Sequence, residues 1–230
     1  MQFDILPTPE AVAKKAATII AAAARDAVVA RGRFILAVSG GRTPWLMLRE
    51  LAGEKVPWEQ VQVVQVDERV APAGDADRNL TQLQEALMSR VPLLPEQLHA
   101  MPVEDRDLNS AANRYAQTLQ ELADSPPVLD LIHLGLGPDG HTASLVPGDP
   151  VLDVADKDVA ITGPYQNRRR MTVTYPIINR ARRILWVVTG SDKATPLKQL
   201  RNGDRSIPAG RVRQENAQVI CDTVAAAALE

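Results

Sequence analysis

A single cysteine, Cys221, occurs among 230 residues, so no internal disulfide can form. That usage fits a reducing compartment. Cys221 lies in the apolar run QVICDTVA and reads as a small core residue. Aromatic residues make up only 3% of the chain, which leaves few stacking platforms for single strands or sugars. Neither sign of charge dominates. The 26 basic and 28 acidic residues give a formal net charge of −2, with no basic tail, which argues against general nucleic-acid or anionic-membrane binding. The three histidines, His99, His133 and His141, stand in different contexts and no ligand-spaced cluster accompanies them. No metal is therefore expected. The apolar stretch Ile19–Ala30 is alanine-rich, broken by Arg25 and Asp26, and too short to span a bilayer. The amino terminus, MQFDILPTPE, carries acid rather than a basic region followed by an apolar one, so no signal peptide is expected. These features predict a soluble, cytoplasmic protein.

What the chain does contain is an alternation of helical and strand patterns. Thr8–Pro9 marks a helix start, a hydroxyl cap followed by proline at the first position. Val12, Ala16, Ile19, Ile20, Ala23 and Ala27 then recur at helical spacing, with an end near Gly32. Phe34–Val38 reads as a buried strand and Pro44–Leu51 as the next helix. Val61–Val66 predicts a strand, Leu80–Met88 a helix, and Asn109–Ala123 an amphipathic helix stopped by Ser125-Pro126-Pro127. Leu129–Leu136, Val159–Thr162, Met171–Tyr175 and Ile184–Thr189 read as further strands. Ala194–Arg201 reads as a helix, and Gln218–Cys221 as a strand before a short alanine-rich helix. The alternation predicts an α/β fold, one domain with a mostly parallel, Rossmann-like sheet covered by helices on both faces.

The polar chemistry collects where strands end. LDLIHLGLGPDGHTASLVPG, Leu129–Gly148, is an apolar run that collapses into glycines and polar side chains. Open α/β sheets put ligands at the carboxyl ends of their strands. Asp139 and His141 are separated only by Gly140, and a carboxylate beside an imidazole is a general-base arrangement. Ser39-Gly40-Gly41-Arg42-Thr43-Pro44 joins a strand to a helix. Two glycines let backbone N–H groups curl around an anion, Thr43 is placed to cap the helix, and the helix amino terminus adds positive charge. The segment lacks the Gly-Lys-Ser/Thr of a P-loop. Asp67-Glu68-Arg69 ends another strand, Arg170 precedes one after Arg168 and Arg169, and Lys193 follows one in Gly190-Ser191-Asp192-Lys193.

In this order and spacing, SGGRTP, VDER, GLGPDGHTASL, RRMT and TGSDKA resemble the 6-phosphogluconolactonase family, which belongs with the glucosamine-6-phosphate isomerases/deaminases. The likeness runs from the first helix to Asp222. Val146 stands where such proteins often carry phenylalanine, and Tyr175 and Arg168–Arg170 depart from the pattern. The deaminases would carry a tyrosine at Arg69, and asparagine-glutamate-proline in place of Ser144-Leu145-Val146-Pro147. The departure favours lactone hydrolysis.

The resemblance implies one lactonase domain over residues 1–230. It implies hydrolysis of 6-phospho-D-glucono-1,5-lactone in the oxidative pentose phosphate pathway, without a cofactor, by a monomer or small homo-oligomer. In that scheme His141 is the general base, Asp139 orients it, and Arg69 with backbone N–H groups of Gly135–Gly140 stabilises the oxyanion. Ser39, Gly40, Gly41 and Thr43 hold the phosphate with Arg170 and Lys193. Asp67, Gly137 and Asn79 complete the substrate site, Asn79 at a sugar hydroxyl. Two other classes remain open at this point. Gly135-Leu136-Gly137-Pro138-Asp139-Gly140 matches G-x-G-x-x-G, but no strand ending in an acid follows about twenty residues later, as a dinucleotide site requires. A non-catalytic sugar-phosphate binder would keep the phosphate cradle without using the Asp139–His141 pair.

Overall fold

The structure is a computed structural model that describes residues 1–229, so Glu230, the last position of the expected domain, lies outside the described residues. The chain opens with strand β1 (Gln2–Leu6), which carries too little apolar pattern to be marked in the sequence. Thr8 then starts helix α1 (Pro9–Arg31). Its hydroxyl accepts the Ala11 N–H at 3.2 Å, Pro9 fills the first turn, and Gly32 ends the helix at φ 72°, as the sequence predicts.

Strand β2 (Phe34–Val38), helix α2 (Arg42–Leu51) and strand β3 (Val61–Gln65) follow. Asp67–Arg69 forms a separate short strand, β4. Helix α3 (Asn79–Ala86), edge strand β5 (Leu98–His99) and helix α4 (Leu108–Ala123) lead to β6 (Leu131–Leu134). The second half holds β7 (Val159–Ile161), β8 (Arg170–Val173), α5 (Tyr175–Arg180), β9 (Arg183–Val188), α6 (Ala194–Arg201) and β10 (Ala217–Asp222).

Two local expectations fail. The alanine-rich segment after β10 forms turns over residues 223–228 rather than a helix. The Asp222 carboxylate accepts the Ala225 N–H at 2.8 Å, and so short a segment cannot offset the cost of helix nucleation. Helix α2 starts at Arg42 with Gly41 as its cap residue, so Thr43 lies inside the first turn and does not cap it.

Seven strands form one parallel sheet in the order β1-β10-β9-β6-β2-β3-β5. Each central strand divides its residues between two cores. Phe34, Leu36 and Val38 pack with α1, α2 and α3 on one face, while Ile35 and Ala37 pack with α4, α5 and α6 on the other. The sheet is therefore covered on both sides, as the alternating pattern predicts. From β2 the chain moves outward through β3 and β5, then returns to place β6 on the opposite side of β2. The crevice beyond the carboxyl ends of β2 and β6 is thus the switch point of the sheet.

A second sheet covers that crevice. It is antiparallel, with order β4-β8-β7, and the pattern of the sequence does not distinguish it from the main sheet. Its register sets Arg69 opposite Arg170.

Candidate active site

Two loops leave the switch point side by side. The first follows β2. The Ser39 N–H donates to His133 Nδ1 at 3.3 Å, and the Ser39 hydroxyl donates to the His133 carbonyl at 3.0 Å. Ser39 is therefore bonded back to β6. His133 is fully buried, and burial pushes its imidazole down to about 3, so it stays neutral. The Thr43 hydroxyl shares a 2.5 Å hydrogen bond with that of Thr189. What faces the cleft is the start of α2, which no side chain caps. A side chain at Gly40 would collide with Asn79, since its Cβ would lie 1.9 Å from Asn79 Oδ1.

The second loop follows β6 and turns tightly. The Gly140 N–H donates to the Gly137 carbonyl at 3.0 Å and the Gly137 N–H to the His141 carbonyl at 2.8 Å. Proline at the second position and glycine at the fourth suit such a turn. Gly140, at φ 80°, also packs against Ile207, where a Cβ would lie 2.5 Å from Ile207 Cβ. The turn brings Asp139 back onto His141: His141 Nδ1 lies 2.5 Å from Asp139 Oδ1, and the His141 N–H donates to the same oxygen at 3.2 Å. Burial raises the Asp139 carboxyl, but the His141 charge and hydrogen bonds, with the Tyr165 hydroxyl, outweigh it and hold the group below the ordinary carboxylate range. Both N–H groups of Gly137 and Gly140 are used within the turn, so they are not free for an oxyanion.

Strand β4 supplies Asp67 and Arg69. Asp67 Oδ2 accepts the Ser144 hydroxyl at 2.6 Å, which ties β4 to the loop after β6. Arg69 donates to Asn79 Oδ1 at 2.7 Å and to the Asp77 carbonyl at 2.8 Å, while Asn79 Nδ2 donates to the Asp67 carbonyl at 3.0 Å. Asn79 thus spends its amide on Arg69 and Asp67. Glu68, fully buried, holds the group together. It accepts the N–H groups of Arg69, Asn79 and Leu80, each at 2.8 Å, and pairs with buried Arg78 at 3.2 Å.

The β7–β8 hairpin brings Arg170, with Gln166 accepting from its Nη2 at 3.1 Å. Arg170 is buried and its Nε has no partner. Burial lowers its pKa and the neighbouring Arg69 lowers it further, against the opposing charge of Asp67. The Arg170 guanidinium lies 5.1 Å from the centre of the Tyr165 ring. The Tyr165 hydroxyl donates to Asp139 Oδ2 at 3.1 Å, and the ring meets His141 edge-on at 5.6 Å. Lys193 completes the rim, paired with Asp192 at 2.8 Å.

These groups line one cleft of about 470 Å³. It brings together His141, Arg69, Ser39, Gly40, Gly41, Asp67, Asn79, Gly137, Arg170 and Lys193, all expected from the sequence. Asp139 stands directly behind His141. Thr43 does not reach the cleft lining. Tyr165 and Gln166 line the cleft and were not expected; a tyrosine two residues after a glycine in an irregular segment gives no signal of its target. Among the described residues no group of three or more His, Cys, Asp or Glu side chains is placed to hold a metal ion. No helix among them is long and apolar enough to cross a membrane.

The sequence profile of a family described as glucosamine-6-phosphate isomerases/6-phosphogluconolactonase matches residues 7–221. The 6-phosphogluconolactonase of a Nostoc species is 34% identical over 201 residues, covering 86% of this chain and 83% of its own. That of Mycobacterium bovis is 34% identical over 241 residues, covering 99% of this chain and 98% of its own. The crystal structure of the 6-phosphogluconolactonase of Thermotoga maritima superposes with a TM-score of 0.86 at 25% identity, over 96% of this chain and 98% of that one.

Proposed function

Because the chain belongs to the family of glucosamine-6-phosphate isomerases and 6-phosphogluconolactonases, we propose that its cleft hydrolyses 6-phospho-D-glucono-1,5-lactone to 6-phospho-D-gluconate, in the oxidative pentose phosphate pathway. The observation that carries this choice within the family is Arg69, which lines the cleft where a deaminase would carry tyrosine, beside the 2.5 Å Asp139–His141 pair.

The pair supports a general-base scheme. His141 donates from Nδ1 to Asp139, which leaves Nε2 to take a proton from water. The water oxygen attacks the lactone carbonyl carbon, and the carbonyl electrons move onto its oxygen. Arg69 meets that charge; one such donor is typically worth about 3 kcal/mol. The Gly137 and Gly140 N–H groups, expected to share this task with Arg69, are bonded inside their turn. Collapse of the tetrahedral species breaks the bond to the ring oxygen. The imidazolium returns its proton to that oxygen, giving the open acid and a hydroxyl.

The phosphate lies against the uncapped start of α2, at Gly40 and Gly41, with Arg170 and Lys193 as cations. Fixing it places the carbonyl over His141. Asn79 serves this site by holding Arg69 and Asp67. Ser39, which lines the cleft but is bonded back to His133, and Thr43, outside the lining and bonded to Thr189, shape the α2 loop. Where a deaminase would present its glutamate, this chain has Ser144 bonded to Asp67, followed by buried Leu145 and Val146. The deaminase's glutamate has no counterpart among these residues.

One domain spanning the chain carries the reaction, as a monomer or small homo-oligomer acting in the cytoplasm, where a lone cysteine stays reduced. The test is formation of 6-phosphogluconate above the spontaneous rate of lactone opening. A rate equal to the blank contradicts the assignment.

A further inference from the structure

We propose that Tyr165 is a positioning residue that joins the two ends of the site, its hydroxyl fixing Asp139 and its ring seating Arg170. The inference rests on the lactonase reading above and goes beyond it, since Tyr165 has no part in that scheme.

The delivery of Tyr165 is unusual for the chain. It stands at the tip of the β7–β8 hairpin, where Tyr165 and Arg168 exchange hydrogen bonds of 2.9 and 3.2 Å. The two residues between them, Gln166 at φ 51° and Asn167 at φ 63°, are both left-handed. That is the geometry of the tight hairpin turn whose twist matches its strands, and it normally calls for glycine or asparagine at such positions. Gln166 is neither. Its side chain instead accepts from Arg170, so the strained residue is tied to the cation it helps to place. The turn thus sets Tyr165 and Gln166 on the cleft side, while Arg168 turns to Asp75 and Asp77.

At one end, the two oxygens of Asp139 are held by different donors. Oδ1 takes His141 at 2.5 Å and Oδ2 takes the Tyr165 hydroxyl at 3.1 Å. A carboxylate held by one oxygen can rotate about its bond; one held by both cannot. The Tyr165 ring edge also rests against the imidazole, 5.6 Å between centres, so the carboxylate and the ring it orients are braced by one side chain. At the other end, the face of the same ring lies under Arg170, whose Nε is buried without a hydrogen-bond partner. The ring supplies part of what that guanidinium lacks, since a desolvated cation over an aromatic face is attracted to it. Burial and the Asp139 charge raise the Tyr165 pKa, so the hydroxyl keeps its proton and acts as donor rather than base.

The two halves separate by substitution. Tyr165 is only partly buried, so replacing it does not open the core. Tyr165→Phe keeps the ring and removes the hydroxyl. It should lower kcat for the phosphorylated lactone about tenfold, the size of one hydrogen bond to a charged group, and leave KM unchanged. In an Asp139→Asn background the same change should add little, because no carboxylate then holds His141 for the hydroxyl to position. Tyr165→Leu removes the ring as well and should also weaken binding of inorganic phosphate, measured by calorimetry, about fivefold. Tyr165→Phe should bind phosphate as the unaltered protein does. If Tyr165→Phe turns over at the full rate, or its loss adds in full to that of Asp139→Asn, the hydroxyl does not position Asp139. If Tyr165→Leu binds phosphate normally, the ring does not seat Arg170. An unaltered protein with no turnover above the blank would refute the lactonase reading instead, and the phosphate measurement would still decide the seat of Arg170.

Discussion

A Cβ on Gly137 would lie 2.1 Å from His141 Nδ1 and 2.7 Å from Asp139 Oδ1. The glycine is the space in which the Asp139–His141 pair closes. Gly137→Ala should therefore force the imidazole off Asp139 and lower kcat about 100-fold, the loss expected from a misplacement of about 1 Å. The core is untouched, so the thermal midpoint should stay close to that of the unaltered protein. Steady-state kinetics beside a melting curve check both statements.

Asp139→Asn keeps the size of the side chain but turns an acceptor into an amide facing His141. It should lower kcat about 10²- to 10⁴-fold with little change in KM. The His141 charge and hydrogen bonds, with Tyr165, keep the Asp139 carboxyl below the ordinary range against the opposing effect of burial. Protonation of Asp139 should therefore limit activity only at pH values below the ordinary carboxylate range. An Asp139 carboxyl carbon signal that titrates by NMR at or above the ordinary aspartate value of about 3.9 would contradict this.

Arg170→Ala and Lys193→Ala test the phosphate end. Each should raise KM for the phosphorylated lactone about 10- to 100-fold, the range of a charge-assisted hydrogen bond. Neither should much change the weaker hydrolysis of unphosphorylated gluconolactone. Equal effects on both substrates would place these cations away from the phosphate.

The fold was largely legible in the sequence because its buried strands are short apolar runs that end in glycine and charge. Phe34–Val38 and Ile184–Val188 needed nothing else. What escaped has physical causes. β1 and β5 lie at the two edges of the sheet, where one side is open and the apolar pattern weak. Asp67–Arg69 was visible as a charged strand end, but its antiparallel pairing with β8 joins residues about a hundred positions apart, which no local pattern encodes. Tyr165 was hidden in the same way, since its partner Asp139 lies 26 positions earlier on another loop. In the site, most of the residues marked in the sequence line one cleft, Asp139 and Thr43 excepted, yet the sequence did not show what each side chain bonds. Ser39, Thr43 and Asn79 look like free donors in the sequence, and the structure pairs their side chains with His133, Thr189 and Asp67.

His133 makes stability sensitive to acid. Burial pushes its folded pKa down to about 3, against an ordinary 6.5. The unfolded chain therefore binds a proton that the folded one refuses between those values. Stability is full above about 6.5 and falls as pH drops toward 3, by about 2 kcal/mol at pH 5. Urea denaturation at pH 7 and pH 5 should show this loss. His133→Leu, which has nothing to protonate, should lose less stability over the same interval, although it starts lower for want of an acceptor for the Ser39 N–H.

In the proposed scheme His141, oriented by Asp139, activates water against a phosphorylated lactone. The direct measurement is the rate of 6-phosphogluconate formation with the unaltered protein and with His141→Asn, each corrected for spontaneous opening. Turnover well above the blank is expected for the first. A loss of about 10²- to 10⁴-fold is expected for the second, with the fold and phosphate binding intact. Near-normal turnover by His141→Asn would contradict it.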